Sequence, residues 1–285
     1  MLANASTKEL SHPEKLELLE DHMLDLPQVE CPVVHHFGPG IYIREVHLPA
    51  GIFAVGHAQR FEHLNIMLRG AVAMVGDDGQ LKVVRAPTIF TGRPGRKFGY
   101  ILEDTVWQNV YATDETDVDT LEATYLDKSA TWQTHDNGLT ELRTALHHED
   151  RVDFELLLEE SGFSAEEVRA QSENLNDQIP MPAWYASKVT VRNSYIEGKG
   201  IFLSAPANEG EIIGPARLGG MRTPLGRYTN HAKIPNAEFQ LLPNGDIYLV
   251  ALRRISGCIA GEQGEEVTVD YRQALSLSGI KVGEH

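Results

Sequence analysis

The chain has 285 residues, of which 42% are hydrophobic and 23% are charged, and this composition excludes a disordered or fibrous protein. At roughly 100–200 residues per domain, the length predicts two domains. With 25 basic and 41 acidic side chains, the formal net charge is −16. This charge argues against nucleic acid or an anionic membrane surface as the main partner, and it leaves basic, lysine-rich polypeptides open.

The segment 1–28 is predicted to form an N-terminal helix. Ser11 with Glu14 three positions later fits a capping box, and Pro13 is tolerated in the first turn. Apolar residues then recur at helical spacing before Pro27, namely Leu16, Leu19, Met23 and Leu26. Since the segment lacks an unbroken apolar core behind a positive start, we expect no secretory signal. The sequence contains no run of about 18 apolar residues, so we expect no membrane span.

The region 29–130 is predicted to be a β-barrel or jelly roll, because short runs of β-forming residues alternate with turn residues such as Asp77-Asp78-Gly79. The predicted strands are 41–48, 52–55, 64–68, 71–75, 81–84, 100–102 and 106–111. Residues 131–179 are predicted to be a helical linker, in which Gly162 ends one helix and Ser164 begins the next. We expect its many charges to form a solvated face.

The region 180–285 is predicted to be a second, mixed domain that is rich in strands, at 189–191, 200–203, 211–213, 239–242, 247–250 and 267–269. Three short motifs follow one another in it: EGKGIF at 197–202, RYTNHAKIPN at 227–236 and GEEVTVDY at 264–271. Each is weak alone. In this order and spacing they resemble the SET domain of lysine methyltransferases, which carries a GxG turn, an NHxxxPN loop and a GEExTxDY segment. The resemblance covers about residues 180–277.

The resemblance implies a mainly β, β-clip-type SET domain with a pseudoknot and with S-adenosylmethionine as cofactor. It implies that the cofactor is held by Gly198, Lys199, Gly200, Ile201, Asn230 and His231. It further implies that Tyr271 is the catalytic residue, that it shapes a channel for the target lysine, and that Pro235 and Asn236 fix the loop beside the C-terminal segment. No metal is implied at this site.

Methyl transfer to an amine requires a neutral lysine, although the free side chain has a pKa of about 10.4. A dry channel disfavours the ammonium, and alignment of the two reactants supplies much of the rate. The Tyr271 phenol would therefore orient the amine electrostatically rather than act as a strong base.

The sequence departs from the SET pattern at three places. Ala232 stands where the family usually has serine, and we expect this change to have a modest effect. The segment 256–263 is longer than the usual connection, and we expect it close to the substrate channel. No cysteine cluster follows Tyr271, so the zinc-bound tail of many histone-directed members is missing. We expect the helices around 139–174 to cover the channel instead.

Residues 51–70 resemble the first cupin motif. His57 matches its first histidine, Gln59 stands at the second, and His63 falls near the acidic position beside Glu62. The second cupin motif is only partly present at 94–98 and lacks its histidine, and residues 104–115 look like cupin-like proteins of tailed bacteriophages. The resemblance implies a degenerate cupin-like jelly roll.

A cupin metal needs three or four converging ligands, and only two histidines stand out here, so we predict no metal. The barrel is instead expected to be a docking or dimerisation module, with a homodimer as one outcome. We also expect His35 and His36 to lie in an exposed loop, because Gly38 and Pro39 follow them.

The first functional hypothesis is an S-adenosylmethionine-dependent protein-lysine N-methyltransferase that acts on a lysine-containing protein or peptide. The second is a non-catalytic phage structural, assembly or interaction protein with a SET-like binding half. The third is a metal-dependent cupin enzyme. Cys31 and Cys258 lie far apart without CxxC spacing, so we expect no disulfide framework and a cytoplasmic location, in the host if the chain is phage-encoded.

Overall fold

The computed structural model describes residues 10–75 and 80–280. The predicted turn Asp77-Asp78-Gly79 and the first nine positions of the predicted N-terminal segment lie outside the described residues. Helix α1 is His12–Leu24, and its N-terminus has the predicted capping box between Ser11 and Glu14. The helix ends before Leu26, because Pro27 has no backbone N–H to donate to the Met23 carbonyl; the Gln28 side chain donates to the Met23 and Leu26 carbonyl oxygens instead.

The N-terminal half is an antiparallel β-structure that encloses a cavity, which agrees with the predicted jelly-roll barrel. Its strands run in the order β1-β2-β8-β5-β6, with β3 on β8 and β7 on β5. The strands are β1 Val33–Gly38, β2 Ile41–Leu48, β3 Phe53–Val55, β4 Ala58–Gln59, β5 His63–Val75, β6 Leu81–Arg85, β7 Thr88–Gly92 and β8 Phe98–Ala112.

In two places, two strands that were predicted separately form one long strand. Runs 64–68 and 71–75 join in β5, and 100–102 and 106–111 join in β8. Register shifts after Met67 and Arg69 bend the pair instead of ending it. At the bend Gly70 has a φ of +93°, and a methyl group there would lie 2.4 Å from Thr105 Oγ1, so only glycine fits.

The loop predicted for His35 and His36 is wrong, because both residues lie in β1 and pair with Arg44 and Ile43 of β2. The His35 ring is bonded to the Tyr42 hydroxyl at 2.7 Å. Burial, reinforced by nearby Arg44, lowers the pKa of His35 to about 3. His35 is therefore a neutral, half-buried residue of the strand, and the turn begins only after Gly38.

Helices connect the two halves; those after residue 130 were predicted, whereas α2 lies in the region that was predicted to be part of the β-barrel. They are α2 Val118–Tyr125, followed by the short strand β9 Leu126–Asp127, then α3 Ala130–Leu146, α4 His148–Ser161 and α5 Ala165–Glu173. Gly162 closes α4 in the left-handed conformation, and Ser164 forms a capping box with Glu167 at the start of α5. Strand β9 pairs with β4.

The C-terminal half packs small sheets around one apolar core, whose members include Ile201, Leu225, Leu249 and Val267. Its sheets have the orders β10-β11-β17-β14 and β13-β12-β16-β15, and β14 pairs in parallel with β17. The elements are α6 Ala183–Ala186, β10 Val189–Asn193, β11 Lys199–Leu203, β12 Ile212–Leu218, β13 Met221–Arg222, α7 Pro224–Tyr228, β14 Asn230–His231, β15 Ala237–Leu241, β16 Ile247–Ala251, β17 Glu266–Val269 and α8 Tyr271–Leu277. Both halves are mainly β, as predicted.

A buried ionic cluster joins the halves around Glu122 of α2. Its carboxylate lies 2.7 Å from Arg192 Nη2 of β10 and 3.6 Å from Arg44 Nε of β2. Burial alone would raise the pKa of Glu122, but the Arg192 and Arg44 guanidinium groups outweigh it and hold this pKa below its usual range. Glu122 therefore stays charged and links the N-terminal half to the C-terminal half.

The segment 256–263, which we expected beside a substrate channel, lies against the N-terminal half. The Cys31 amide donates to the Cys258 carbonyl at 3.1 Å, and the Ala260 amide donates to Val29 at 2.8 Å. Glu262 lies 2.7 Å from His57 Nε2. The extra length of this segment thus serves the contact between the halves. Across residues 10–75 and 80–280, no helix has the length and apolarity needed to cross a membrane.

Candidate functional site

The three motifs of the C-terminal half meet where β11, β14 and β17 lie side by side. Gly200 of β11 approaches Glu266 of β17 so closely that a methyl group on Gly200 would lie 2.4 Å from Glu266 Oε1. The Asn230 amide of β14 donates to the same oxygen at 2.8 Å. The GxG turn, the Asn-His pair and the C-terminal motif are therefore in direct contact, although up to 66 positions separate Gly200 from Glu266.

The Asn230 amide nitrogen lies in a cluster of hydrogen-bond acceptors. Besides Glu266 Oε1, it lies 3.0 Å from Ser194 Oγ, 3.0 Å from the Lys199 carbonyl and 3.2 Å from the Glu197 carbonyl. An amide has two hydrogens for these four acceptors. The cluster therefore has unused acceptor capacity, which suits a ligand that carries several N–H donors.

Glu266 is buried, and its carboxylate accepts from Ser194 Oγ at 2.9 Å and from the Tyr195 amide at 3.1 Å. Burial raises the pKa of Glu266, and the hydrogen bonds from Asn230 and Ser194 offset this only in part. In the described part of the chain, no lysine or arginine forms an ion pair with it. Glu266 is thus an acidic group without a cationic partner at the centre of the motifs.

His231 is held in one tautomer by its neighbours. The Tyr271 backbone amide donates to Nδ1 at 3.1 Å, so the ring proton of the neutral ring is on Nε2, which lies 3.0 Å from Asp153 Oδ2 of α4. Asp153 in turn pairs with Arg272 at 2.7 Å. Both ring nitrogens of His231 are therefore engaged within the chain, and the residue pairs with Val269 of β17.

Tyr271 begins α8 and packs against the core. Its hydroxyl donates to the Thr229 carbonyl at 3.0 Å, and the Phe154 ring meets its ring edge-on at 6.0 Å. Burial, with a smaller contribution from the Glu266 carboxylate, raises the pKa of Tyr271 to about 12. The phenol is therefore neutral at physiological pH and can act as a hydrogen-bond donor or acceptor, but not as a phenolate base.

Helix α4 lies on the motif loops. The Lys233 amide donates to Asp150 Oδ1 at 2.8 Å, and Arg272 pairs with Glu160 at 3.0 Å. An open depression of about 550 Å³ lies between α3 and α4, lined in part by Thr144, His148 and Arg151. The helical region that we expected to cover the channel thus contacts both the Asn-His loop and Tyr271.

The remaining predicted cofactor residues have different surroundings. Gly198 has a φ of +56°, which favours glycine in this turn. The Lys199 ammonium lies 2.6 Å from Asp117 and 3.2 Å from Asp119, and the Ile201 side chain is 0% exposed in the core. The Lys199 and Ile201 side chains are therefore engaged within the chain, and the main chain of Ile201 pairs with Val191 and Val267 in the sheet.

Asn236 fastens the Asn-His loop to β17, as the sequence led us to expect. Its side-chain amide donates to the Glu266 carbonyl at 2.8 Å, and its Oδ1 accepts from the Thr268 amide at 2.8 Å. Sequence reasoning missed Ser194, Glu266 and Asp153 as parts of the site. Glu266 belongs to a quoted motif and could have been singled out, whereas Asp153 lies in an unmarked helix.

The residues fit S-adenosylmethionine in part. The unused acceptors around Asn230 and the uncompensated Glu266 carboxylate suit a ligand with an amino group and a positive charge. Gly200 makes room for the Glu266 carboxylate beside the turn. The Asn230 nitrogen and the His231 ring, however, are bonded within the chain, so their side chains would act by shaping the loop and the acceptor cluster.

Replacing Gly200 with alanine should lower the free energy of unfolding by about 1–3 kcal/mol, because the new methyl group overlaps the Glu266 carboxylate. Chemical denaturation would measure the change. Gly138→Ala is the matched control, since Gly138 lies inside α3 with open space around it, and it should raise stability by about 0.5–1 kcal/mol. Equal stability of Gly200→Ala and wild type would contradict the close packing of Gly200 on Glu266.

The histidines of the cupin-like motif have other partners. His57 is bonded to Glu262, the Tyr111 hydroxyl donates to Gln59 at 2.7 Å, and the His63 ring stacks on Tyr111 at 5.7 Å. Among residues 10–75 and 80–280, no three His, Cys, Asp or Glu side chains are grouped to share a metal ion. His57, Gln59 and His63 therefore serve the barrel wall and the contact with the other half.

No protein-family model matches the chain, and no curated protein matches it. Solved structures do match, at low identity. An HTH_3 family transcriptional regulator from Vibrio cholerae is 15% identical over 30% of this chain, with a TM-score of 0.25, and the chain spans about half (52%) of its length. A RmlC-like cupin family protein with a double-stranded β-helix fold from Methanocaldococcus jannaschii is 16% identical over 30% of this chain and 81% of its own, with a TM-score of 0.26.

A further solved structure is a conserved protein with a double-stranded β-helix domain from Klebsiella pneumoniae. It is 15% identical over 41% of this chain and 93% of its own, with a TM-score of 0.26. These structures are similar to the chain in fold only. Their activities and ligands are not carried over to it.

Proposed function

We propose that the protein is an S-adenosylmethionine-dependent protein-lysine N-methyltransferase whose site is in the C-terminal half. The observation that carries the proposal is the contact of Gly200, Asn230 and Glu266, together with the bond from the Tyr271 amide to His231. Three motifs that resemble the SET pattern along the chain are thus joined in one cluster. The net charge of −16 favours a basic, lysine-containing polypeptide as substrate.

S-adenosylmethionine, when bound, supplies an electrophilic methyl group on a sulfonium. The carbonyl oxygens of Glu197 and Lys199 and the Glu266 carboxylate offer acceptors that suit its amino group. Gly198 leaves open space beside the turn, and Gly200 admits the Glu266 carboxylate close to the main chain. These residues bind and orient, and none of them needs to react.

Tyr271 supplies a neutral hydroxyl at the end of the Asn-His loop. Since the pKa of Tyr271 is raised to about 12, the phenol can accept from or donate to an incoming amine without ionising. The apolar surroundings that raise this pKa would also disfavour a lysine ammonium and favour the neutral amine. Phe154 of α4 packs against the Tyr271 ring and excludes water from that side.

The test is calorimetric titration of the full chain with S-adenosylmethionine and, separately, with S-adenosylhomocysteine. We expect saturable binding of both, and loss of binding in Gly200→Ala but not in Gly138→Ala. Labelled cofactor with a bacterial lysate should then yield methyl-lysine in a polypeptide after acid hydrolysis. A folded protein that binds neither molecule and transfers no label would overturn the proposal.

A non-catalytic interaction protein is the second candidate. The observation in its favour is that α4 packs on His231 and Tyr271 and that both ring nitrogens of His231 have partners within the chain. If this arrangement is permanent, the C-terminal half would present its surface to a partner rather than turn over a substrate. The same titration separates the candidates, since only the enzyme requires cofactor binding.

A further inference from the structure

A cavity of about 580 Å³ lies in the N-terminal half, between α1, the inner face of the large sheet and residues 260–262. Its wall is largely apolar and includes Leu19, Met23, Val46, Leu48, Val72 and Ile101. Phe53 and Leu26, which also line it, are more than half exposed and mark an open side. The volume and lining are typical of a small-molecule site, and neither proposed function uses this cavity.

One polar side chain in the wall is incompletely satisfied. Asn65 is 0% exposed, and its Oδ1 accepts from Trp107 Nε1 and from Asn109 Nδ2, each at 2.8 Å. Its amide nitrogen is buried and has no hydrogen-bond partner. Leaving a buried amide donor unpaired costs about 1–3 kcal/mol, so an acceptor in the cavity would be stabilised there.

Lys97 lies beside this amide, with Nζ 3.4 Å from Asn65 Oδ1. In the described ranges no carboxylate lies within ion-pair distance of its ammonium, which instead lies 5.8 Å from the Trp107 ring centroid. The other charged residues of the wall have partners of opposite charge, Glu20 in Arg96, Glu262 in Lys128, and Arg44 in Glu122. Burial lowers the pKa of Lys97, because no opposite charge offsets it.

We propose that this cavity binds an apolar monocarboxylate, with the carboxylate between Lys97 Nζ and Asn65 Nδ2 and the tail among the apolar side chains of the wall. Lys97 Nζ has no carboxylate partner and only a long 3.4 Å contact with Asn65 Oδ1, whereas Asn65 Nδ2 has no hydrogen-bond partner, so a carboxylate would satisfy both donors at once. The medium-chain fatty acids are the simplest members of this class. The proposal is independent of methyl transfer, because every residue in it belongs to the N-terminal half or to the segment that lies against it.

The test is calorimetric titration of the full wild-type chain with decanoate and with decanol at neutral pH. The two probes have the same tail and differ in the head group. We expect one decanoate to bind per chain and decanol to bind at least about 10-fold more weakly, a difference of about 1.4 kcal/mol. Equal affinity for the two probes, or no binding of decanoate, would overturn the proposal.

Two substitutions locate the site. Lys97→Met keeps the apolar stem and removes the charge, and it should weaken decanoate binding at least about 10-fold and leave decanol unaffected. Lys188→Met is the matched control, at a partly exposed lysine of the other half, and it should bind decanoate with wild-type affinity. Met74→Trp fills the cavity and should abolish binding of both probes. Wild-type affinity in Lys97→Met or in Met74→Trp would place the ligand elsewhere and refute the proposed site.

Discussion

Replacing Tyr271 with phenylalanine should lower methyl transfer by about 100- to 1,000-fold, the loss seen when one positioned electrostatic donor is removed from an active site. The hydroxyl is the only part of the side chain that is lost, and the ring keeps its contacts with Phe154 and His231. Transfer of labelled methyl groups to lysate proteins would measure the effect.

The fold and the cofactor site should survive this change. The lost bond to the Thr229 carbonyl is worth about 1 kcal/mol, so the denaturation midpoint should fall only slightly. S-adenosylmethionine should bind to Tyr271→Phe as to wild type, because the acceptors around Asn230 are untouched. Tyr248→Phe, in β16 of the same half, is the matched control and should retain full transfer. Normal transfer by Tyr271→Phe would exclude a catalytic role for the phenol.

Replacing Glu122 with glutamine should lower the free energy of unfolding by about 3–5 kcal/mol, the cost of removing one partner of a buried ion pair. The change removes the carboxylate that pairs with the buried Arg44. It also removes the closer of the two carboxylates that pair with Arg192. Glutamine keeps the shape of the side chain, so the loss reports charge rather than a cavity. Guanidinium denaturation would measure it.

Glu103→Gln is the matched control for Glu122→Gln. Glu103 pairs with Arg85 at 2.7 Å, but both side chains are more than half exposed. A solvent-exposed pair is worth about 0–1 kcal/mol, so this variant should unfold close to wild type. If both variants lost the same small amount, the ionic cluster around Glu122 would not stabilise the contact between the halves.

The Glu122 cluster also predicts sensitivity to acid. Since the folded-state pKa of Glu122 is held below its usual range, its contribution to stability is complete above the unfolded carboxyl value of about 4.3 and is lost as the pH falls through the folded value. Stability measured from neutral pH downward should therefore fall less steeply in Glu122→Gln than in wild type. A steeper fall in the variant would contradict the assigned direction.

The sequence by itself determined the local structure and the order of the motifs. The capping box at Ser11, the helix start at Ser164 and the helix stop at Gly162 are as predicted, because each depends on residues within one helical turn. Most strand positions were also predictable from runs of β-forming residues. The continuity of β5 and β8 through their bends was not predictable. A β-bulge joins two runs into one strand only when a partner strand is present to pair with both.

Only the tertiary structure decided which distant residues meet. Glu122 joins Arg192 across 70 positions, and Glu262 joins His57 across 205. The helix that contacts the Asn-His loop does so through Asp153, which no local pattern marks. Such contacts depend on how separate elements pack. They produce no periodic pattern in the sequence, so they cannot be predicted from it. The sequence therefore indicated which short motifs belong together, whereas the side-chain partners that hold them in position came from the packing of the two halves.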